Sequence, residues 1–123
     1  AVNDYCESIN TSSNVKLKYA QLGITQPLEK STEVILYRVI LELTNNAIKY
    51  ADAKNIIIQL SKNQNILHLI VEDDGIGFDK EILKTQKGSG LKNVESRIAS
   101  LQGKTFIETE IGKGTTASIE IPY

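Results

Sequence analysis

The stretch V-E-D-D-G-I-G-F-D, residues 71–79, places two carboxylates where an apolar run passes into a turn with glycines at 75 and 77. Glycine accepts positive φ without steric cost and lets a ligand approach the backbone closely. Read alone, the stretch fits a tight turn with solvated acids as well as it fits a pocket wall. The flanking sequence has to decide between them.

Upstream, N-I-I-I-Q-L (55–60) and I-L-H-L-I-V (66–71) read as two strands of a hairpin joined by the polar S-K-N-Q-N. Before them lies the strongest helical pattern, from about Ser31 to Ala51, with Leu36, Ile40, Leu43, Ala47 and Tyr50 at helical spacing. N-V-K-L-K-Y-A sets Val15, Leu17 and Tyr19 against Lys16 and Lys18, a half-buried strand, and Gly23 and Pro27 mark the loop that follows it. Residues 1 to about 10 read as helical. Downstream of the glycine turn, D-K-E-I-L-K-T-Q-K is polar and weakly patterned. A further helix starts near Gly90, with Leu91, Val94, Ile98 and Leu101 on one face and Gly103 as its stop. K-T-F-I-E-T-E and T-T-A-S-I-E-I, separated by I-G-K-G, form a closing hairpin. The predicted order is helix, strand, helix, strand, strand, loop, helix, strand, strand. Such an order folds as a two-layer α/β sandwich of the α+β class, with one sheet covered on one face by about three helices.

The chain has 123 residues, which suits a single domain spanning 1–123. With 41% hydrophobic residues, 24% charged residues and a formal net charge of −1, the composition is that of a soluble globular protein. The near-neutral balance argues against nucleic acid as a main partner, because phosphate backbones demand a basic patch. No apolar run reaches membrane-spanning length, so direct membrane contact is not expected. A-V-N-D-Y-C lacks the regions of a signal peptide, and Cys6 is the single cysteine, which leaves no internal disulfide and no cysteine-based metal site. A cytoplasmic location fits. The start without Met suggests a domain cut from something longer.

Chemistry concentrates in four places. In E-L-T-N-N-A-I-K-Y-A, Glu42, Asn46 and Lys49 share a stripe with residues 35 and 39, at the border of the apolar face. An acid, an amide and an amine in that order can act as base, metal ligand and phosphate contact, although an exposed charged face would show the same spacing. Glycines recur in D-D-G-I-G-F (73–78), K-G-S-G-L (87–91) and G-K-G-T-T (112–116). Gly88 and Gly90 precede a helix whose unpaired N–H groups and dipole favour phosphate. Each segment alone is an ordinary turn or helix entry. The four in this order are specific.

The set resembles the GHKL, or Bergerat-type, ATP-binding fold, and in detail the catalytic ATP-binding domain of bacterial sensor histidine kinases. The likeness runs from about Val15 to Pro122, with the asparagine-bearing box at 42–51 and three glycine boxes in family order. About nine residues separate Phe78 from Gly88, which resembles the short-lid subgroup. The resemblance implies a mixed, mostly antiparallel sheet, and it implies ATP and Mg²⁺ as cofactors.

It also implies roles. Asp73 would accept a hydrogen bond from the adenine amino group; an ionised carboxylate only accepts, which favours adenine over guanine. Gly75 and Gly77 would keep the wall beside the base open, with Asp74 as pocket rim or as a solvated turn acid. Thr115 would support the adenine network. Asn46 would bind Mg²⁺, which keeps waters and takes further ligands from phosphates. Glu42 would be general base or orient the nucleophile, Lys49 and Tyr50 would touch phosphate and base or ribose, and Gly88, Gly90 and Leu91 would carry the return of the lid, with Lys87 within reach of a phosphate.

His68, the single histidine, lies in strand-like sequence, and no heptad-patterned hairpin precedes the domain. The expected reading is therefore a kinase catalytic domain that donates the γ-phosphate of Mg·ATP to a histidine on a separate dimerisation domain, with a response regulator downstream and this domain itself monomeric. An anti-sigma-factor serine kinase of the same fold is the alternative, supported by its similar length. A non-catalytic ATP sensor is disfavoured by the presence of Glu42, Asn46, Asp73 and the box glycines.

Overall fold

A computed structural model describes residue 7 and residues 14–49, 52–76 and 91–123, with the backbone alone at residue 91. The elements are β1 (Lys16–Leu22), α1 (Lys30–Lys49), β2 (Asn55–Asn63), β3 (Ile66–Asp73), α2 (Leu91–Ser100), β4 (Lys104–Glu110) and β5 (Gly114–Pro122). Of the expected N-terminal helix, Glu7 is described and is helical. The rest of that segment and the polar stretch 79–87 lie outside the described residues.

The five strands form one sheet in the order β1-β2-β3-β5-β4. β1 and β2 run parallel, Leu17 opposite Ile56 and Tyr19 opposite Ile58. Every other pair is antiparallel. The parallel pair follows from chain order: two adjacent parallel strands need a long crossover, and α1 supplies it. The mixed, mostly antiparallel sheet is as expected, and so is the two-layer arrangement.

Alternation along the strands explains why only one face is covered. Ile56, Ile58 and Leu60 of β2, Leu67, Leu69 and Val71 of β3, and Ala117, Ile119 and Ile121 of β5 are buried beneath the helices. Leu36, Val39, Ile40, Leu43 and Ala47 of α1 and Val94 and Ile98 of α2 meet them. The opposite face carries Ile57, Ile66 and Phe106, which are exposed, and half-buried His68.

Two connections differ from expectation. The first hairpin is tighter than the polar linker suggested: the strands continue to Asn63 and from Ile66, leaving a two-residue loop with Gln64 at φ 56°. At the end of α2 the left-handed residue is Gln102, φ 61°, not Gly103. Gln102 N–H donates to the Ala99 carbonyl at 2.9 Å and Gly103 N–H to the Ile98 carbonyl at 2.9 Å, the paired bonds of a Schellman cap. Gly103 is required for space instead. A Cβ there would stand 2.7 Å from both the Glu120 carbonyl oxygen and Ile98 Cγ2.

Candidate functional site

Three elements carry the described site residues. The C-terminal half of α1 is fixed by its apolar stripe, and Thr44 sits within it, fully buried, its hydroxyl donating to the Ile40 carbonyl at 2.8 Å. On the flank of that stripe Glu42 and Asn46 are half-buried, one turn apart, and Lys49 is exposed in the last turn. A border position is what a side chain needs to reach both a ligand and a rigid backbone. Tyr50 lies outside the described residues.

Asp73 ends β3, opposite Thr115 of β5. Its Oδ1 accepts the Gly75 N–H at 2.9 Å. Burial pushes the Asp73 carboxyl above the usual carboxylate range; N–H groups of Gly75 and Thr115 oppose the rise, and the charges of Asp74 and Glu72 add to it. The carboxylate is thus half-desolvated and aimed by backbone donors on both neighbouring segments.

Gly114 is what allows the two strands to meet here. Its φ is 91°, and a Cβ on it would overlap the Asp73 carbonyl oxygen. Next to it, the hydroxyls of Thr115 and Thr109 lie 2.8 Å apart. Thr109 was not singled out in the sequence, yet the signal was present: folding I-G-K-G as a hairpin puts Thr109 opposite Thr115.

Asp74 is exposed, as a rim or turn acid would be, and its carboxylate is also hydrogen-bonded. Its Oδ1 accepts the N–H groups of Lys54 at 2.8 Å and Asn55 at 2.9 Å, and its Oδ2 accepts the Asn55 side-chain amide at 2.8 Å. Hydrogen bonds from the Asn55 side chain and backbone hold the Asp74 carboxyl below the usual range. These partners are 19 and 20 residues away in sequence, so no local pattern marks them.

The structure brings Asp73, Gly75 and Thr115 together, and sets Glu42, Asn46 and Lys49 along one side of α1. Gly77, Lys87, Gly88, Gly90 and the Leu91 side chain lie outside the described residues. Among the described residues no group of three or more His, Cys, Asp or Glu side chains could hold a metal ion. A cation bound here would therefore depend on Asn46, water and the ligand's own phosphates, a donor set that suits Mg²⁺. A separate cleft of about 540 Å³ lies beside the first half of α1, between Tyr19, Ile24, Leu28 and Tyr37. None of the site residues line it, so volume alone does not mark the chemistry. Among the described residues no helix is long and apolar enough to cross a membrane.

Comparison with known proteins bears on the family and the fold. Residues 31–123 match the profile of the family described as histidine kinase-, DNA gyrase B-, and HSP90-like ATPase. The chain is 41% identical over 98 residues to the sensor histidine kinase ComP of Bacillus subtilis (strain 168), covering 79% of this chain and 13% of ComP. To the signal transduction histidine-protein kinase/phosphatase DegS of the same organism it is 30% identical over 115 residues, covering 90% of this chain and 30% of DegS. The chain thus spans well under half the length of either relative. In fold it resembles the histidine kinase domain of the Erythrobacter litoralis EL346 blue-light activated histidine kinase, with a TM-score of 0.76, 21% identity, and coverage of 98% of this chain and 57% of that one. With a match over more than half of its length and a sheet and helices laid out as in that fold, the chain belongs to the histidine kinase-, DNA gyrase B- and HSP90-like ATPase family.

Proposed function

We propose that the chain is the catalytic part of a sensor histidine kinase, binding Mg·ATP and passing the γ-phosphoryl group to a histidine on a separate dimeric helical domain. One observation carries this reading: Asp73, a half-buried acceptor, is held from two sides by backbone N–H groups at the end of a central strand. An acceptor-only group so placed selects an exocyclic amine, as adenine presents. The identity to ComP and DegS supports the histidine-kinase branch over the serine-kinase alternative.

In this reading, Asp73 and Thr115 hold the base while the flank of α1 faces the phosphates. Asn46 would hold a Mg²⁺ ion, whose chemistry is to offset charge on the transferred phosphoryl group. Lys49 adds positive charge on the same flank. Glu42 accepts the proton of the attacking imidazole as its nitrogen bonds to the γ-phosphorus and the bond to the bridging oxygen of ADP breaks. Catalysis is then mostly positioning and charge stabilisation.

The test is calorimetric titration of the chain with a non-hydrolysable ATP analogue and Mg²⁺, followed by radiolabelled ATP with the helical domain of the parent protein supplied in trans. Saturable binding and acid-labile label on that domain are expected. Absence of binding would overturn the reading, and acid-stable label on an added sigma-regulator protein would replace it with the serine-kinase alternative.

A further inference from the structure

We infer that Asp74 is a positioning residue for adenine selectivity: by clamping the α1–β2 connection to the glycine turn, it sets the aim of the Asp73 carboxylate. The inference rests on the adenine role proposed for Asp73 and deepens it.

The geometry is that of a knot between two chain segments. Lys54 ends the α1–β2 connection and Asn55 begins β2, while Asp74 follows the last residue of β3. The Asp74 carboxylate takes both backbone N–H groups and the Asn55 amide, while its own N–H donates back to the Asn55 carbonyl at 3.2 Å. Four bonds thus close one contact. Further back, Ala53 is buried and its N–H donates to the Ala47 carbonyl at 3.0 Å, which ties the same connection to the last turns of α1. The clamp therefore joins the helix bearing Glu42 and Asn46 to the turn bearing Asp73 and Gly75.

Its consequence for Asp73 is direct. The Asp73 carboxylate is aimed by the Gly75 N–H, two residues on, and the peptide between them belongs to Asp74. If the Asp74 side chain lets go, the turn can rotate about that peptide and the Gly75 donor leaves its place. A hydrogen bond weakens steeply once its angle falls below about 120°, so a rotation that swings the Gly75 donor out of that range loosens the aim of the carboxylate. Asp74 does this from the surface and does not touch the base.

The experiment compares ATP with inosine triphosphate, which carries a carbonyl in place of the 6-amino group. Affinities of the chain for both are measured by calorimetry with Mg²⁺, for the native sequence and for Asp73→Asn, Asp74→Ala, Asp74→Asn and Asn55→Ala, with a thermal melt of each. Asp74→Ala is expected to lower ATP affinity about tenfold while leaving inosine triphosphate unchanged, since it loses charge-assisted bonds that aim the acceptor. Asp74→Asn keeps the Oδ1 acceptor and should restore most of the preference. Asn55→Ala removes only the side-chain bond and gives a smaller loss in the same direction, which keeps the test valid if Asp74→Ala does not fold. A clamp that merely stabilised the fold would weaken both nucleotides alike, and that result overturns the inference. If Asp73→Asn abolishes the preference for ATP but neither Asp74→Ala nor Asn55→Ala alters it, the inference fails while the adenine reading stands. If Asp73→Asn itself leaves the preference intact, both fail.

Discussion

At the scale of single residues, the role proposed for Asp73 runs against stability. Its carboxyl lies where desolvation disfavours the charged form. Between its ordinary value of 3.8 and the raised value in the fold, the folded chain keeps a proton that the unfolded chain has released, so its contribution to stability falls as pH rises through that window. Asp73→Asn removes this penalty. It is expected to melt higher than the native chain near pH 7, with the gap closing toward about pH 4, when thermal melts are recorded across that range. The same variant should lose about 10- to 150-fold in ATP affinity, corresponding to roughly 1.5–3 kcal/mol for a charge-assisted bond. A lower melting temperature with unchanged affinity would reassign Asp73 to the fold. Asn46 is expected to reveal itself through the metal: Asn46→Ala should weaken Mg·ATP far more than ATP measured in chelator, and equal losses would make the amide structural.

At the scale of elements, legibility followed the range of the interaction. The strands were readable because Leu67, Leu69 and Val71, or Ala117, Ile119 and Ile121, alternate within one segment. The long helix was readable from its own stripe. What escaped were features whose cause lies elsewhere in the chain: the Asp74 clamp on Lys54 and Asn55, and the reason for Gly103. That glycine looks like a helix stop, but the left-handed position belongs to Gln102. The two substitutions separate these roles. Gln102→Gly should stabilise by up to about 1 kcal/mol, because glycine takes positive φ freely at the cap. Gly103→Ala should destabilise by about 1–3 kcal/mol, since its Cβ would press on the Glu120 backbone and Ile98. Denaturant unfolding of both variants measures the difference. Opposite signs are required; two losses of equal size would mean that the cap, not the packing, governs position 103.

At the scale of the whole molecule, the sheet fixes the place of the single histidine. His68 lies on β3, the central strand, its Nε2 2.7 Å from the Ser118 hydroxyl. Phosphoryl transfer requires the attacking nitrogen in line with the γ-phosphorus at near contact, and a side chain held in the sheet cannot travel there. The chain alone is therefore expected to bind Mg·ATP without acquiring acid-labile label, and the helical domain added in trans should take the label. Glu42→Ala should abolish or strongly slow that transfer. Label on His68 would contradict this division of labour. The order of boxes from about Val15 to Pro122 was legible because each box is a short local motif; the pairing of Asp73 with Thr115 entered only through the family resemblance, because it depends on which strand lies beside β3.

That neighbour is β5, the last strand in sequence, inserted between β3 and β4. During synthesis β1, β2 and β3 leave the ribosome first, and one side of β3 then waits as an unfilled edge, with Leu67, Leu69 and Val71 lacking their same-face neighbours Ile121, Ile119 and Ala117. Unpaired edges and uncovered apolar surface are what nascent chains aggregate through. The corner proposed to hold the nucleotide closes at the same moment as the sheet, when Gly114 and Thr115 arrive beside Asp73. Ribosome-bound chains stalled with residues 114–122 still in the exit tunnel should be readily digested by protease whether or not ATP is present, and release of those nine residues should bring protection and nucleotide binding together.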